Sequence, residues 1–326
     1  MMKAVMVTDF GGPDVLQYTD VHRPAVRSNE VLIKVAAASI NFADIKARYG
    51  KYHGAGKPPF VPGLDVAGTI EEVGAEVKNL QAGQRVIAFP NHGSYAEYTT
   101  ADEILTFPIP DHIDLETAAA SPIVSFTSYN LLMKCARLQK GETVLIHSAS
   151  GGIGTTAIQL AKLLGAGMVI ATVGNDLKKE IAYQMGADHV FNYNTESFVD
   201  HVLNLTHNHG ADVILDSLAG HIFEQSLDCL AHFGRIVNFG NGSGKPGSFQ
   251  TNGLHASCRS VLGYSFGTTR KLRPQTLADT AETVLAYLAK GELQMLISKK
   301  FSLKEAAQAH AWIENRHSTG KVLLLP

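Results

Sequence analysis

The sequence predicts an α/β protein in two parts, a doubly wound parallel sheet set inside a β-rich chain. Three observations carry this. The middle of the 326-residue chain alternates short apolar runs with amphipathic stretches, the pattern of parallel strands joined by right-handed helical crossovers. The first ~120 residues instead hold β-branched runs bounded by Gly and Pro. At the head of the alternating region, a glycine cluster joins an apolar run to a long helical pattern in "HSASGGIGTTAIQLAK" (147–162).

Taken in order, "NEVLIKVAAAS" (29–39), "VAGTIEEVG" (66–74) and "QRVIAF" (84–89) read as strands, with "NFADIKARYG" (41–50) a short helical turn or loop. "TVLIHS" (143–148) then leads to a helix near 152–164, and "MVIATV" (168–173) to one near 176–185. "HVFNY" (189–193) leads to a helix near 196–206, and "DVILDS" (212–217) to one near 221–232. "RIVNFG" (235–240) follows, and "CRSVLGYSF" (258–266) reads as a sixth strand. The last sixty residues hold helices near 275–290 and 303–315 and a closing strand, "KVLLLP". Residues 1–122, completed by 265–326, therefore form the β-rich domain, and 123–264 the inserted α/β domain.

Composition narrows the function classes. The chain is 45% hydrophobic and 18% charged, with 28 basic and 30 acidic residues. That balance does not favour nucleic acid or an anionic membrane surface as partner, and no basic, aromatic-rich strip supports a nucleic-acid role. No apolar run reaches the ~20 residues of a membrane helix, and the N-terminal stretch lacks the apolar core of a secretory signal. The cysteines, Cys135, Cys229 and Cys258, are scattered and odd in number, which fits a reducing, cytoplasmic compartment better than a disulfide framework.

The glycine cluster is what a pyrophosphate requires. A turn from strand to helix aims backbone N–H groups and the positive helix end at one point, and glycines let a phosphate approach. The spacing G-x-G-x-x-G appears as Ala149-Ser150-Gly151-Gly152-Ile153-Gly154, so the first glycine is replaced. A tight turn without ligand is the competing reading, which the ordered strands around it weaken. In NAD-binding versions an acidic residue about 20 positions on grips the ribose; here that position is Gly174. An uncharged position admits a 2′-phosphate, and Lys178, one turn further, can neutralise it. Asp176 reads as a helix N-cap or, alternatively, as a ribose ligand; Lys178 and Lys179 also read as solvated surface. The balance favours NADPH over NADH.

These motifs resemble the zinc-free quinone oxidoreductases, the zeta-crystallin type, of the medium-chain dehydrogenase/reductase superfamily. "NEVLIKVAAASINFADIKARYGKY", "PGLDVAGTIEEVGAEV", "GSYAEY", "SASGGIGTTAIQLAK", "GADHVFNY" and "FGNGSG" carry the resemblance over essentially the whole chain. It implies a GroES-like catalytic domain around a Rossmann domain, an NADPH cofactor and a homodimer or tetramer. Zinc-dependent members begin their metal site with Cys-x-x-Asp and continue with Gly-His-Glu. Here the aligned stretches are Asn41-Phe-Ala-Asp44 and Gly63-Leu64-Asp65, and "IAFPNHGSYAEY" runs through the place of the four-Cys structural zinc lobe. Leucine cannot ligate zinc and Asn is a poor ligand. The histidines of "HVLNLTHNHG", His201, His207 and His209, read as exposed polar residues rather than a metal site.

The resemblance also places residues. Asn41 and Thr127 would lie beside the nicotinamide. Ser150, Gly151, Gly152, Ile153 and Gly154 would hold the pyrophosphate. Gly174, Asn175, Lys178 and Arg316 would surround the ribose phosphate. Tyr193 would contact the adenosine half, Ser217 or Leu218 would lie under the adenine ribose, and Phe239, Gly240 and Asn241 would close over the nicotinamide edge. Asp44 reads as a cap or a ribose-side hydrogen bond. Two departures are Gln84 in "GQRV" and Asn130, where some relatives carry a second Tyr.

A site without metal suits a quinone, whose reduction is driven by aromatisation, so the protein needs mainly to orient the ring over the nicotinamide. Tyr52 is the candidate for substrate contact or proton donation, or alternatively a wall residue, and Asn41 for orienting the nicotinamide amide or the quinone oxygen. Two further readings stay open: an NADPH-dependent enoyl or alkenal reductase, in which Tyr52 protonates carbon, and a non-enzymatic NADPH-binding interaction or sensor protein. The strand at 258–266 would leave an open apolar edge, so a homodimer pairing these edges is expected. The loops at 51–61 and 241–273 would shape the substrate pocket.

Overall fold

The structure, a computed structural model, describes residues 1–52 and 56–326. The described chain forms two compact units, Met1–Phe126 with Phe266–Pro326, and Thr127–Ser265. The first unit begins with strands β1 (Met2–Val7), β2 (Leu16–Val21) and β3 (Glu30–Ser39), then helix α1 (Phe42–Arg48). Strands β4 (Val66–Val73), β5 (Arg85–Ala88), β6 (Tyr98–Asp102) and β7 (Thr106–Pro108) follow, then helix α2 (Leu115–Ala120). Helix α3 (Pro122–Tyr129) leads into a wider π-helical turn over Asn130–Cys135. Neither α2 nor α3 is anticipated by the sequence reading; their Ala- and Ser-rich surface carries little amphipathic contrast because α2 is buried through Ala118, Ala119 and Ala120.

The second unit alternates strand and helix: β8 (Thr143–Ile146), α4 (Gly152–Leu163), β9 (Met168–Val173), α5 (Lys179–Gln184), β10 (His189–Asn192), α6 (Phe198–Leu205), β11 (Ala211–Asp216), α7 (Gly220–Asp228), β12 (Leu230–Asn238), α8 (Thr251–Ser257) and β13 (Ser260–Gly263). The chain then returns to the first unit with α9 (Phe266–Leu272), α10 (Leu277–Ala289), β14 (Ile297–Ser302), α11 (Ala306–Glu314) and β15 (Lys321–Leu325).

Among the described residues, the second unit's sheet runs β10-β9-β8-β11-β12-β13, all parallel. The order reverses between β8 and β11, the switch point where such sheets bind ligands at their carboxyl ends. Helices on both faces explain why β9 and β11 are almost wholly buried. The first unit's main sheet runs β14-β15-β3-β4-β5-β7, with β6 on β3. Its core lies on Val31, Ile33, Val66, Ile70, Val86 and Ala88, the inward positions of alternating strands.

Three expectations change. The helix expected to 232 stops at Asp228, because Leu230 already pairs with Ala211, and a bulge and the positive φ of Phe233 (61°) carry the strand past its irregular start. Only Ser260–Gly263 of the 258–266 stretch is strand: Cys258 caps α8 in the left-handed conformation, and Phe266 opens α9. The expected loop 241–273 therefore contains both α8 and α9.

Candidate functional site

In the second unit, the expected nucleotide residues cluster at the carboxyl ends of the strands. Gly151 caps α4 with extended dihedrals, φ −82° and ψ 173°. A Cβ placed there would meet nothing nearer than the Ser148 carbonyl oxygen at 3.5 Å, so the space above Gly151 is open. At Gly154 a Cβ would lie 2.5 Å from Ala149 Cα; this glycine lets the helix seat on the strand. Ser150 is buried, Gly152 opens the helix, and the Ile153 carbonyl accepts the Ser128 hydroxyl at 3.3 Å. Thr127 is buried with its Oγ1 lacking a hydrogen-bond partner, an orphan that a ligand amide would satisfy.

At the end of β9, Gly174 packs under its neighbour: a Cβ would fall 2.5 Å from Tyr193 Oη. An acid could not stand there without displacing the Tyr193 ring. Asn194 donates to the Gly174 carbonyl at 2.8 Å, holding the two turns together. Asn175, rather than Asp176, caps the next turn, accepting the Leu177 N–H at 2.8 Å. Asp176 instead pairs with Lys179 at 3.0 Å, and Lys179 also reaches Glu196 at 2.8 Å. Lys179 is thus held by two carboxylates. Lys178 ends the short turn that Asp176 begins.

The ends of β11 and β12 are knitted together. A Cβ on Gly240 would meet Ser217 O at 2.7 Å, and Gly242 donates to that carbonyl at 2.9 Å. Asp216 accepts from Leu218 N–H at 2.9 Å and from Asn238 Nδ2 at 2.7 Å, and its carbonyl accepts Phe239 N–H at 3.0 Å. Asn241 lies exposed just beyond. Asn130, the second departure noted above, is buried and donates to Tyr264 Oη at 3.0 Å, so the position is occupied by a polar tie rather than an aromatic face.

In the first unit, Asn41 caps α1 and Asp44, at the third helical position, accepts the Asn41 backbone N–H at 2.8 Å. Asp44 is 1% exposed. Burial pushes its carboxyl up to about 7, against the Asn41 N–H that favours the anion. Asn41 Nδ2 donates to Asp65 Oδ1 at 3.0 Å, and Asn41 Oδ1 accepts from the Lys321 ammonium at 2.7 Å. Asp65 further accepts from Ser39 Oγ at 2.7 Å and the Ile123 N–H at 3.1 Å. Tyr52 is half-buried, and burial raises its phenol while the Arg270 cation opposes the shift. Arg316 is exposed with φ 58°, just past the Asn315 cap of α11. Part of the expected 51–61 loop, residues 53–55, lies outside the described residues.

The sequence reading missed Lys321, Arg270 and a buried chain beneath α1. Arg48 donates to His310 Nδ1 (3.1 Å) and Glu314 (2.7 Å), and His310 Nε2 meets Tyr95 Oη at 3.1 Å. Because arginine only donates, His310 carries its proton on Nε2. The one available signal was a charged residue opening the apolar strand "KVLLLP".

A metal does not fit at Asn41. Its oxygen already faces a cation, Lys321, and Leu64 offers no ligand atom. Among the described residues no group of three or more His, Cys, Asp or Glu side chains could hold one. His209 instead pairs with Asp212 at 2.8 Å, and His201 stacks on Phe191.

Two family models match the chain, an alcohol dehydrogenase GroES-like domain over residues 27–111 and a zinc-binding dehydrogenase over 152–284. They define a medium-chain dehydrogenase/reductase with a GroES-like part and a Rossmann part. The chain is 36% identical to a Pseudomonas aeruginosa quinone oxidoreductase, covering 100% of both. It is 35% identical to the rat quinone oxidoreductase, covering 99% of this chain and 96% of the other. The crystal structure of Escherichia coli quinone oxidoreductase complexed with NADPH superimposes with a TM-score of 0.92 at 32% identity, covering 99% of this chain and 100% of that one. The chain belongs to the quinone oxidoreductase family.

Proposed function

We propose that the chain is an NADPH-dependent, zinc-independent oxidoreductase that passes a hydride to a quinone. The observation that carries this reading is the tie of Asn41 to the Lys321 ammonium: the position where zinc-dependent members begin their metal site is committed to an internal cation. The acceptor must then be reducible without a Lewis acid, and a quinone is, since one hydride and one proton yield an aromatic hydroquinone. NADPH, when bound, would supply the hydride. Gly151 to Gly154 and Ser150 would hold its pyrophosphate through backbone N–H groups. Gly174, Asn175, Lys178 and Arg316 would take the ribose phosphate, Tyr193 would contact the adenosine half, and Ser217 or Leu218 would lie under the adenine ribose. Thr127 and Phe239 to Asn241 seat the nicotinamide. Asn41 orients the ring or the quinone oxygen, and Asp44 holds Asn41 in its cap. Tyr52 donates a hydrogen bond that positions the quinone oxygen, held alike in the bound substrate and in the transition state.

Residues 1–122 with 265–326 form the catalytic domain on this reading, and 123–264 the NADPH-binding domain. The protein works as a homodimer: β13 ends the sheet, and pairing its outer edge with a second copy about a two-fold axis would close that edge. Among the described residues no helix is long and apolar enough to cross a membrane. None of the three cysteines forms a disulfide, in keeping with a cytoplasmic setting.

The deciding experiment follows NADPH oxidation by the purified protein against a panel of quinones and a panel of enals and enoyl thioesters. Preference for quinones is expected. Turnover confined to the enals would replace the reading with an enoyl reductase, and tight NADPH binding without turnover on either panel would indicate a non-enzymatic binding protein.

A further inference from the structure

Lys321 is almost fully buried, 4% exposed, at the start of a strand whose other residues are apolar. Such a side chain is rarely kept without partners. It is delivered by a turn that only glycine allows: Gly320 has φ 54°, and a Cβ there would lie 2.2 Å from Leu296 O. The Lys321 N–H then bonds to that same carbonyl at 2.7 Å, which locks the strand's first residue in place. From there the ammonium reaches Ile40 O at 3.1 Å and Asn41 Oδ1 at 2.7 Å.

An asparagine amide has two faces that differ only in which atom is oxygen and which is nitrogen. Here both neighbours decide the question and agree. An ammonium can only donate, so it selects the oxygen. Burial raises the Asp65 carboxyl, but the Lys321 cation opposes that shift and two donors independent of Asn41, Ser39 Oγ and the Ile123 N–H, bond its two oxygens; held as an anion in this way, Asp65 selects the nitrogen. Reversing the amide would set –NH2 against –NH3⁺ and C=O against a carboxylate. The other Nδ2 contact, to Ser39 O, is long at 3.5 Å, so one N–H is only weakly held and is the donor Asn41 has to offer.

We infer that Lys321 is a positioning residue of the reaction: its ammonium, opposed by Asp65, clamps the Asn41 amide in the one orientation that presents an N–H to the nicotinamide amide or to the quinone oxygen. The inference rests on the reading of Asn41 as the residue beside the nicotinamide. It assigns to the last strand of the chain a part in catalysis that does not depend on touching substrate.

The test is a double-mutant cycle on the full-length protein with Lys321→Met and Asn41→Leu, reading turnover with a quinone, the Michaelis constant for that quinone, and the affinity for 2′,5′-ADP. The last probe contains only the adenosine phosphate half, so it reports an intact nucleotide unit without engaging Asn41. Each single variant should lower turnover about tenfold or more while 2′,5′-ADP binding stays within about twofold. The double variant should turn over no more slowly than Asn41→Leu alone, because without the amide the clamp has nothing to hold. Losses that multiply would show that Lys321 acts independently of Asn41 and would overturn the inference, as would loss of 2′,5′-ADP binding in parallel with turnover. Asn41→Leu without effect on turnover would instead remove Asn41 from the site, and the inference with it. Should Lys321→Met fail to accumulate as folded protein, Lys321→Arg, which keeps the charge but moves the donor, goes through the same cycle under the same criteria.

Discussion

Two glycines three residues apart should separate binding from folding. At Gly151 the backbone is already extended, φ −82° and ψ 173°, a conformation alanine adopts freely. The added Cβ would meet only Ser148 O at 3.5 Å, an ordinary contact. Gly151→Ala should therefore leave the ligand-free protein as stable as before, or up to ~1 kcal/mol more stable through a stiffer unfolded chain. The same methyl would stand where the pyrophosphate must approach the backbone. Losing one charge-assisted hydrogen bond, ~1.5–3 kcal/mol, should weaken NADPH roughly 10- to 150-fold. Gly154→Ala is the opposite case. Its Cβ would lie 2.5 Å from Ala149 Cα and 2.6 Å from the Ala149 carbonyl, all backbone atoms, so α4 must back away from the turn. Such overpacking costs ~1–3 kcal/mol. Urea unfolding of the ligand-free variants and calorimetric titration with NADPH measure both quantities. Wild-type NADPH affinity in Gly151→Ala, or a stability loss there equal to that of Gly154→Ala, would refute the assignment of Gly151 to the pyrophosphate.

Lys178→Ala should weaken NADPH by ~1–2 kcal/mol, the worth of a charge-assisted hydrogen bond to the 2′-phosphate, and leave NADH nearly unchanged; equal losses by titration would mean that Lys178 does not meet the phosphate. Tyr52→Phe should keep most of the turnover with a quinone, whose oxygens take protons from water, with the loss appearing in the Michaelis constant; a fall of ~10²–10⁴ in turnover would mark Tyr52 as a general acid and point to carbon protonation. Burial pushes the His147 imidazole down to about 4 from its ordinary 6.5, while it bridges Thr172 and Ser226 at 2.8 and 2.9 Å. The unfolded chain then takes up a proton that the folded one refuses, so stability falls as pH drops from about 6.5 to about 4, by roughly 3 kcal/mol from this residue. In urea unfolding between pH 7 and 4.5, His147→Gln should flatten that decline; an unchanged slope would rule His147 out as its source. Light scattering at micromolar concentration should give the mass of two chains, and a monomer there would count against pairing through β13.

The second unit was legible because its signals are local. A buried parallel strand is a short apolar run, and the helix between two such runs declares itself over a dozen residues, so β8 to β11 stand close to where their sequences place them. The errors fall where long-range pairing overrides local pattern. At Leu230, pairing with Ala211 starts β12 inside a stretch that reads as helix, and the positive φ of Phe233 has no local signal because the residue is not glycine. Around Cys258 a left-handed cap on a cysteine hides the end of α8 in the same way.

The first unit's site was half-legible for the same physical reason. Asn41 and Asp44 lie in one turn, and the spacing of cap and third helical residue suffices to suspect their contact. Lys321 lies 280 residues from Asn41, and Asp65 lies 24 residues away; neither contact has any period that a single sequence can show. What the sequence does contain is a mismatch in polarity, a lysine opening an apolar strand and an aspartate beside the leucine that replaces a metal ligand. Each mismatch has a bland explanation alone, a strand end for one and a turn for the other. Folding removes both explanations at once by burying the two charges, 4% and 0% exposed, on opposite atoms of one amide. The buried cation and the buried anion attract each other directly, and each also bonds one end of the neutral amide between them, so the residue they share is the one whose geometry they determine. In this chain that residue is Asn41, where zinc-dependent members of the superfamily begin their metal site, and the charge that a metal would bring stands there as the ammonium of Lys321.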